Sequence, residues 1–328
     1  MNASRNPLPI LFLWILILTA APGRGERNAP FPIRHANVNG VSRLLMRDLA
    51  AFFGMRQSVR DQTVHWRGRQ ASAAFTIDRR QAEINGTRVN LSHAVAHYRK
   101  MPMLSETDFR LLLDPILRDR ALPRQAVRTI VIDPGHGGHD PGAPGSLHQE
   151  KEIVLQISQR LAAILRARGF RVHLTRNDDR FLTLPQRTEI ARRVNADLMI
   201  SVHANAAANR SVRGVETFLL NPANTAGTHS NRPDPRTRPG NAFDKQSMRL
   251  AYEVQRHILQ KVQTNDRGTK HAGFGLLHDL PCPGVLVEVG FLSHAEEERQ
   301  LGTPAWQARI ALGIAEGVLA YRQAVEPR

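Results

Sequence analysis

The chain of 328 residues is predicted to form an α/β domain with a largely parallel sheet covered by helices on both faces, preceded by a small α+β domain. Two observations predict this organisation. From Arg128 onwards, apolar runs of strand length alternate with helical patterns, which is typical of a parallel sheet. Residues 32–122 instead have a helical pattern, several short strands and a second helical pattern, and a linker follows them.

The α/β part, residues 128–323, has clear element boundaries. A helix is predicted over residues 150–168 with Gly169 as its stop, and the helix over Leu184–Asn195 opens with Thr183 and Gln186 as a capping box. The predicted strands are RTIVID, FRVHLT, ADLMISVHAN, GVETFLL and GVLVEVG, and the remaining predicted helices cover Lys245–Val262 and Pro304–Val325. Strands and helices therefore alternate throughout this part.

The small domain over residues 32–122 carries no group of catalytic residue types. Its first helix is predicted over SRLLMRDLAAFFGM, closed by Gly54, and Asn85-Gly86 is predicted as a type I′ hairpin turn. A second helix is predicted from Ser105 to Pro115. On LLMRDLAAFFGM and EINGTRVNL, this order resembles the repeated stalk domain named after the amino-terminal region of copper amine oxidases. That resemblance implies a positioning or wall-binding role, without copper.

Residues 1–21 have the organisation of a signal peptide. Arg5 precedes the apolar run LPILFLWILIL, and small residues follow near Ala21, where cleavage is expected. The alternative is an uncleaved anchor, but the run is shorter than the roughly 20 residues that span a bilayer. Export is therefore expected, to the periplasm because no surface-anchor signal is present, with an extracellular or wall-associated location as the alternative. No integral membrane segment is expected after cleavage. Cys282 is the only cysteine, so no internal disulfide forms, and its apolar context indicates a buried filler.

The net charge of +16, from 45 basic and 29 acidic residues, favours an anionic partner such as nucleic acid, a membrane surface or a wall polymer. Nucleic acid is not expected, because the basic residues are neither in long runs nor interleaved with aromatics. The alternative explanation is that arginine-rich usage reflects genome composition alone.

Four residues of metal-binding or proton-transferring type lie where ligands bind in α/β proteins, beyond the carboxyl ends of strands. His136, within the glycine-rich loop IDPGHGGHDPGAPG, follows one strand, His203 ends another and Glu288 ends a third, while Glu150 opens the helix after the loop. Two imidazoles, a carboxylate and a position left to water form the ligand set of a catalytic zinc. His136, Glu150 and His203 are therefore predicted to hold one zinc ion, with Glu288 as the proton-transferring carboxylate.

Each residue has an ordinary alternative when it is taken alone. A histidine in a glycine loop is usually solvated, and Glu150 could simply interact with the helix dipole. Glu288 is harder to explain in that way, because a carboxylate in an apolar strand is costly to bury. The glycine-rich loop around His136 matches neither of the phosphate-binding patterns G-x-x-x-x-G-K-[ST] and G-x-G-x-x-G. The four residues together favour the zinc hypothesis.

Motifs over Arg128–Tyr321 resemble, in order, the zinc-dependent N-acetylmuramoyl-L-alanine amidases of the amidase-3 family. They are IVIDPGHGGHDPGA, EKEIVLQISQRLAAIL, LTRNDD, LPQRTEIARRVNADLMISVHAN, GVETFLL and VLVEVGFLSHAEEERQL. The resemblance implies a mostly parallel, mixed sheet and hydrolysis of the amide between the lactyl group of N-acetylmuramic acid and L-alanine. By motif it makes His136, Glu150 and His203 the zinc ligands and Glu288 the catalytic glutamate. It implies that the substrate is peptidoglycan and that the protein acts in cell-wall turnover or daughter-cell separation. The protein is expected to be a monomer.

Some members of that family carry an inhibitory helix that partner proteins remove, and an activator protein is accordingly a candidate partner. Here the corresponding residues 221–243 contain four prolines, so no stable helix is expected and the segment is predicted to be a lid or a substrate-facing arm. Two other classes of function stay open on the residues alone: a wall-binding protein without catalysis, and a zinc peptidase or deacetylase acting on the same polymer. The sequence predicts no particular substrate-binding residues.

Overall fold

A computed structural model describes residues 33–326, so the predicted signal peptide lies outside the described part. The chain divides into two compact units. The first contains residues 33–80 and 93–106, and the second contains residues 81–92 and everything from Thr107 onwards. Within residues 33–326, no helix has both the length and the apolar character that crossing a bilayer requires.

The elements are numbered along the chain. The strands are β1 (His35–Val38), β2 (Val41–Leu45), β3 (Arg56–Arg60), β4 (Thr63–Arg67), β5 (Ser72–Thr76), β6 (Gln81–Ile84), β7 (Thr87–Asn90), β8 (Ala96–Tyr98), β9 (Met101–Ser105), β10 (Thr129–Pro134), β11 (Arg171–Leu174), β12 (Leu198–Asn205), β13 (Val215–Leu219), β14 (Thr225–Ala226), β15 (Pro233–Asp234), β16 (Asp266–His271) and β17 (Gly284–Phe291). The helices are α1 (Met46–Phe52), α2 (Glu106–Asp108), α3 (Asp114–Leu117), α4 (Glu150–Ala167), α5 (Leu184–Arg193), α6 (Asp244–Lys261), α7 (Gly275–His278), α8 (Ala295–Leu301) and α9 (Pro304–Val325).

The first unit is built mainly from antiparallel strands. One group has the order β1-β2-β9-β8, and β3, β4 and β5 pair as a meander. The first predicted helix begins later than the sequence pattern indicated, at Met46, and the prediction that residues 42–45 are helical is wrong. Leu44 and Leu45 instead belong to β2, where they pair with β9 and are buried. Gly54, with φ of 68°, follows the helix as predicted.

The sheet of the second unit is mixed and mostly parallel. Its order is β11-β10-β12-β17-β13-β16-β7-β6. Strands β11, β10, β12 and β17 run parallel, β13 runs antiparallel to β17, and β16 runs parallel to β13. The predicted mixed α/β fold is confirmed.

Helices cover both faces of this sheet. Val131 of β10 and Met199 of β12 belong to a buried cluster that includes residues of α5 and α7. Successive side chains of a strand point to opposite faces, so Ile130 and Ile132 of β10 point away from that cluster, and both are fully buried. On that second face, α4 contacts β10 and β12, and α9 packs against α4 and α6.

The compact units do not follow the expected boundary at residue 122. The hairpin β6–β7, whose Asn85-Gly86 turn has the positive φ angles expected of type I′, joins the second unit, where Val89 pairs with Thr269 of β16. Residues 107–122 also belong to the second unit. The likeness of residues 32–122 to a stalk domain stays a prediction.

Pro115 does not end the second predicted helix of this region. A π-helical turn over Phe109–Leu113 follows α2, and α3 continues to Leu117. Pro115 lies in the first turn of α3, where a missing backbone N–H costs little.

Candidate active site

The carboxyl ends of β10, β12 and β17 bring the four predicted residues to one edge of the sheet. His136 lies two residues beyond β10, His203 and Glu288 lie near the ends of β12 and β17, and Glu150 is the first residue of α4. His203 and Glu288 are paired positions of the two parallel strands. The convergence predicted from strand ends is thus observed for all four residues.

His136, Glu150 and His203 form a compact group of potential metal ligands. One donor atom from each lies within 4.8 Å of the others, and no other such group of three or more occurs among residues 33–326. His136 Nε2 lies 3.1 Å from Glu150 Oε2, and His203 Nδ1 lies 2.9 Å from Glu150 Oε1. Around a tetrahedral zinc ion, with bonds of about 2.0–2.2 Å, neighbouring donor atoms lie about 3.3 Å apart. The group therefore has the donor types and the spacing that a zinc ion needs.

The carboxylate of Glu150 is fixed by the backbone and by both histidines. It accepts hydrogen bonds from the amides of Ala204 (3.0 Å) and Ala143 (2.6 Å). Burial raises the pKa of Glu150, but the hydrogen bonds from His136 and His203 outweigh it and bring the pKa well below its usual range. Glu150 is therefore ionised, as a metal ligand must be.

Asp140 orients the first histidine. Its Oδ2 lies 2.8 Å from His136 Nδ1, and an ionised carboxylate can only accept, so Nδ1 donates to Asp140 and Nε2 donates to Glu150. Burial lowers the pKa of His136, but the hydrogen bonds to Glu150 and Asp140 outweigh it and raise the pKa above its usual range. Metal-binding histidines typically donate their second N–H to such a carboxylate. Asp140 was not among the predicted site residues, although its position four residues after His136 in the same loop was a usable signal.

Glycines in the loop make room for the cluster. A Cβ atom at Gly135 would collide with the imidazole of His203, and one at Gly142 would lie 2.5 Å from Glu150 Oε2. Gly142 also has φ of 75°, which L side chains rarely adopt. His136 itself has φ of 59°, a strained conformation for a residue with a side chain. The glycine-rich loop is thus explained by close packing around three side chains.

Glu288 is buried without a compensating partner. It is 8% exposed, and its Oε2 has no hydrogen-bond partner among the described residues. Burial raises the pKa of Glu288 well above its ordinary value, and the charges of Glu150 and Glu216 act in the same direction. A buried carboxyl group of this kind beside a potential cation site is suited to accepting and returning a proton.

A cavity of about 410 Å³ opens in front of these groups. His136, His203 and Glu288 line it, and Phe181, Leu184 and Phe274 contribute apolar surface at 37–48% exposure. Ligand sites commonly combine such apolar walls with a few convergent polar groups. The cavity therefore has room for a substrate next to the potential metal ligands.

Two buried arginines that were not among the predicted site residues support the loop through hydrogen bonds to its carbonyls. Arg187 of α5 pairs with Asp133 (2.7 Å) and donates to the carbonyls of Pro134 (2.7 Å) and His136 (2.8 Å). Arg176, fully buried, donates to the carbonyl of Gly135 at 2.6 Å. Both lie inside quoted motifs, LTRNDD and LPQRTEIARR, but a sequence pattern does not show which arginine turns inwards.

Replacing Arg187 by methionine is expected to destabilise the protein by about 3–5 kcal/mol, because it leaves the buried Asp133 without its cation. Urea unfolding of the metal-free protein measures the change. Arg192→Met is the matched control, since Arg192 lies on the same helix but is 54% exposed and, within residues 33–326, pairs only with Glu189. Its loss is expected below about 1 kcal/mol. Equal losses in the two variants would show that the buried pair contributes little.

Other candidate residues lie outside the cluster. His139 packs against the ring of Phe181, with centroids 4.2 Å apart. His148 packs so closely against Gly302 that a Cβ atom there would collide with its ring. His271 is buried in β16. Cys282 belongs to the core cluster, and burial raises the pKa of its thiol to about 12, in agreement with its interpretation as a buried filler.

Residues 221–243 form no α-helix. They contain the short strands β14 and β15, which pair with each other, and a 3₁₀ turn over Pro239–Phe243. The absence of an α-helix agrees with the expectation from the prolines. The role of the segment as a lid or arm stays a prediction.

Fold and site together define an α/β protein with a His-Glu-His group at the carboxyl ends of its sheet strands. The family model for N-acetylmuramoyl-L-alanine amidases (Amidase_3) matches residues 130–320, and the chain belongs to this family. It is 36% identical over 220 residues to the N-acetylmuramoyl-L-alanine amidase AmiA of Escherichia coli K12, covering 59% of this chain and 76% of the relative.

Solved structures agree with this assignment. The amidase AmiC2 of Nostoc punctiforme superimposes with a TM-score of 0.51 at 37% identity, covering 60% of this chain and 97% of that one. An N-acetylmuramoyl-L-alanine amidase from Clostridium difficile 630 has the same TM-score and coverage at 31% identity.

Proposed function

We propose that this protein is an exported, zinc-dependent N-acetylmuramoyl-L-alanine amidase that separates stem peptides from the glycan strands of peptidoglycan. The observation that carries the zinc assignment is the group of His136, Glu150 and His203, with donor atoms within 4.8 Å of one another. Membership of the amidase family supports the choice of bond. The signal-like residues 1–21 support export.

In this proposal His136 and His203 provide neutral imidazole nitrogens and Glu150 provides the negative charge of the metal site. Zinc, when bound there, supplies a Lewis acid for the carbonyl oxygen of the scissile amide and lowers the pKa of a water molecule to about 7. Asp140 retains the Nδ1 proton of His136 and so keeps the ring in the tautomer that exposes Nε2. Ala143 and Ala204 hold Glu150 in place through their amides.

Glu288 moves the proton. It accepts a proton from the attacking water, and it returns that proton to the alanine nitrogen as the carbon–nitrogen bond breaks. The products are a lactyl carboxylate on the muramic acid and a stem peptide with a free L-alanine amino group. Glu288 is buried beside His203 and lines the cavity, which supports its assignment to both transfers.

The surroundings of the cavity suit a wall polymer. Phe181, Leu184 and Phe274 offer apolar surface to sugar rings and to the lactyl methyl group. The net charge of +16 attracts a polymer that carries carboxylates or phosphates. The module at residues 32–122 is proposed to position the protein on the wall.

Digestion of purified peptidoglycan tests the proposed function. The mature protein is incubated with zinc, then with a chelator, then with zinc restored, and the products are identified by mass spectrometry. We expect stem peptides with L-alanine amino termini and an intact, acetylated glycan, and we expect their release to stop with chelation and to return with zinc.

The two other classes of function give different products. A peptidase would cut within the stem, and a deacetylase would leave the stem attached but remove acetyl groups. A binding protein without catalysis would sediment with the wall and release nothing. Release of stem peptides that persists after complete removal of the metal would contradict the zinc assignment.

A further inference from the structure

A second cavity lies next to the one that contains the four predicted residues. Its volume is about 660 Å³, and Phe274 lines both cavities. Asn205, which lines the second cavity, is two residues beyond His203 on β12. Other walls come from the residues after β12, from β13, β16 and the end of β17, and from the segment 221–243. A substrate held in the first cavity therefore has a neighbouring space into which it can extend.

Arg267 lines the second cavity in a fixed orientation. Its Nε donates to Glu216 Oε2 at 2.7 Å, and its Cζ lies 4.9 Å from the centroid of the Phe291 ring. Within residues 33–326, neither of the two Nη groups of Arg267 has a hydrogen-bond acceptor. The side chain is 30% exposed. The guanidinium is thus held by one edge, and its opposite edge is left for a ligand.

The carboxylates that line the cavity are already neutralised by other groups, so the positive charge of Arg267 is in excess there. Glu216 is buried, and Lys270 Nζ (2.5 Å) and Asn205 Nδ2 (3.0 Å) also donate to it, so its negative charge is already balanced without Arg267. Asp234, the other carboxylate on the cavity wall, pairs with Arg236 at 2.8 Å. A further exposed arginine, Arg232, lines the same cavity. The cavity is therefore positive overall.

We propose that this cavity binds a carboxylate of the stem peptide through the free edge of Arg267. This inference rests on the proposed function, because it concerns the peptide side of the same substrate. A guanidinium whose two Nη groups are free fits a carboxylate with two parallel hydrogen bonds. The apolar contact with Phe291 and the bond to Glu216 orient the guanidinium before the substrate arrives.

The sheet order indicates which carboxylate is within reach. Glu216 of β13 pairs with Glu288 of β17, and β16, which carries Arg267, is the next strand. Neighbouring strands lie about 4.8 Å apart, so the backbone of Arg267 is about 10 Å from that of Glu288 across the sheet. An extended peptide advances about 3.3–3.6 Å per residue. The bound carboxylate therefore belongs to the second or third residue of the stem, counted from L-alanine.

Cleavage of paired synthetic substrates tests this inference. One muramoyl peptide carries free carboxylates on the second and third stem residues, and the matching peptide carries primary amides there. We expect the unaltered zinc-loaded protein to cleave the carboxylate form with a kcat/KM about 10-fold higher, mainly through KM, because hydrogen bonds between charged groups are stronger than those to a neutral amide.

Three variants assign the preference to Arg267. Arg267→Gln keeps a donor for Glu216 and is expected to cleave both peptides at the rate of the amide form. Arg267→Lys retains the charge without the planar fork, and we expect it to restore part of the preference. Arg299→Gln removes the same charge from exposed α8, where Arg299 contacts Glu296, and is expected to keep the full preference.

Equal cleavage of both peptides by the unaltered protein would overturn the inference and leave the amidase proposal standing. An equal loss of rate on both peptides in Arg267→Gln would also overturn it, because Arg267 would then act only through the structure. If the unaltered protein cleaved neither peptide, the proposed function would fail, and the inference with it.

Discussion

Glu288→Gln is expected to lower kcat on peptidoglycan by about 10²–10⁴ while zinc stays bound. The amide has the shape of the carboxyl group but cannot accept a proton from water at neutral pH. The remaining rate would come from the metal site and from substrate positioning. Stem peptides released per minute at saturating substrate, together with the zinc content of the purified variant, measure the two parts of this prediction.

The surroundings of Glu288 explain why the loss should fall on the proton transfer and not on the fold. Its Oε2 makes no hydrogen bond within the described residues, and its carboxyl group is buried beside Glu150 and Glu216. A neutral amide replaces a carboxyl group whose ionised form is already disfavoured by burial, so we expect the metal-free variant to be at least as stable as the unaltered protein.

Glu189→Gln is the matched control for this substitution. Glu189 is 51% exposed on α5 and pairs only with Arg192 among the described residues, so its loss should leave kcat and zinc content unchanged. A Glu288→Gln protein that had lost its zinc would make Glu288 a metal ligand, and the division of roles between Glu150 and Glu288 would have to be revised.

The four candidate site residues could be predicted from the sequence because each is attached to a strong local signal. His203 and Glu288 lie near the ends of apolar strands, His136 follows one, and Glu150 opens a helix with a clear apolar face. Parallel strands bring their carboxyl ends to one edge, so strand ends alone predict the meeting of distant residues. No contact had to be known beforehand.

The supporting residues lacked such a signal. Arg176 and Arg187 are buried because they donate to carbonyls of the loop before and at His136, and those contacts exist only after the sheet and α5 have packed. Sequence patterns place arginine at the surface by default. Arg267 was missed for a related reason, since its role depends on the side-by-side arrangement of β13 and β16.

The errors in the small domain have a local cause. Ser42–Leu45 reads as the start of an amphipathic helix, yet Leu44 is buried by pairing with Leu104 of β9, sixty residues later in the chain. Long-range strand pairing overrides helix propensity in such short segments.

His136→Ala is expected to abolish both zinc binding and amide hydrolysis. Removing one of three protein ligands leaves Glu150 and His203, and the loop loses the ring that Asp140 holds at 2.8 Å. Two protein ligands fall short of the three that hold a catalytic zinc ion. Zinc content by elemental analysis and release of stem peptides are the two measurements, and both are expected to fall to background.

His173→Ala separates this effect from the general loss of a histidine. His173 lies exposed on β11, an outer strand of the same sheet, and belongs to no ligand group. We expect this variant to bind zinc and to hydrolyse peptidoglycan like the unaltered protein. If His136→Ala kept its zinc, the ion would be held elsewhere and the assignment of the cluster would be wrong.

Thermal unfolding of the same proteins tests whether the bound metal stabilises the folded state. An ion that binds only the folded state raises the free energy of unfolding by RT ln(1 + [L]/Kd), where [L] is the free ion concentration. The increase is about 2.7 kcal/mol when [L] is 100 times Kd. Chelation should therefore lower the Tm of the unaltered protein and of His173→Ala. It should leave the Tm of His136→Ala unchanged, because that variant has no bound ion to lose. A chelator effect that persisted in His136→Ala would place the stabilising metal outside the group of His136, Glu150 and His203.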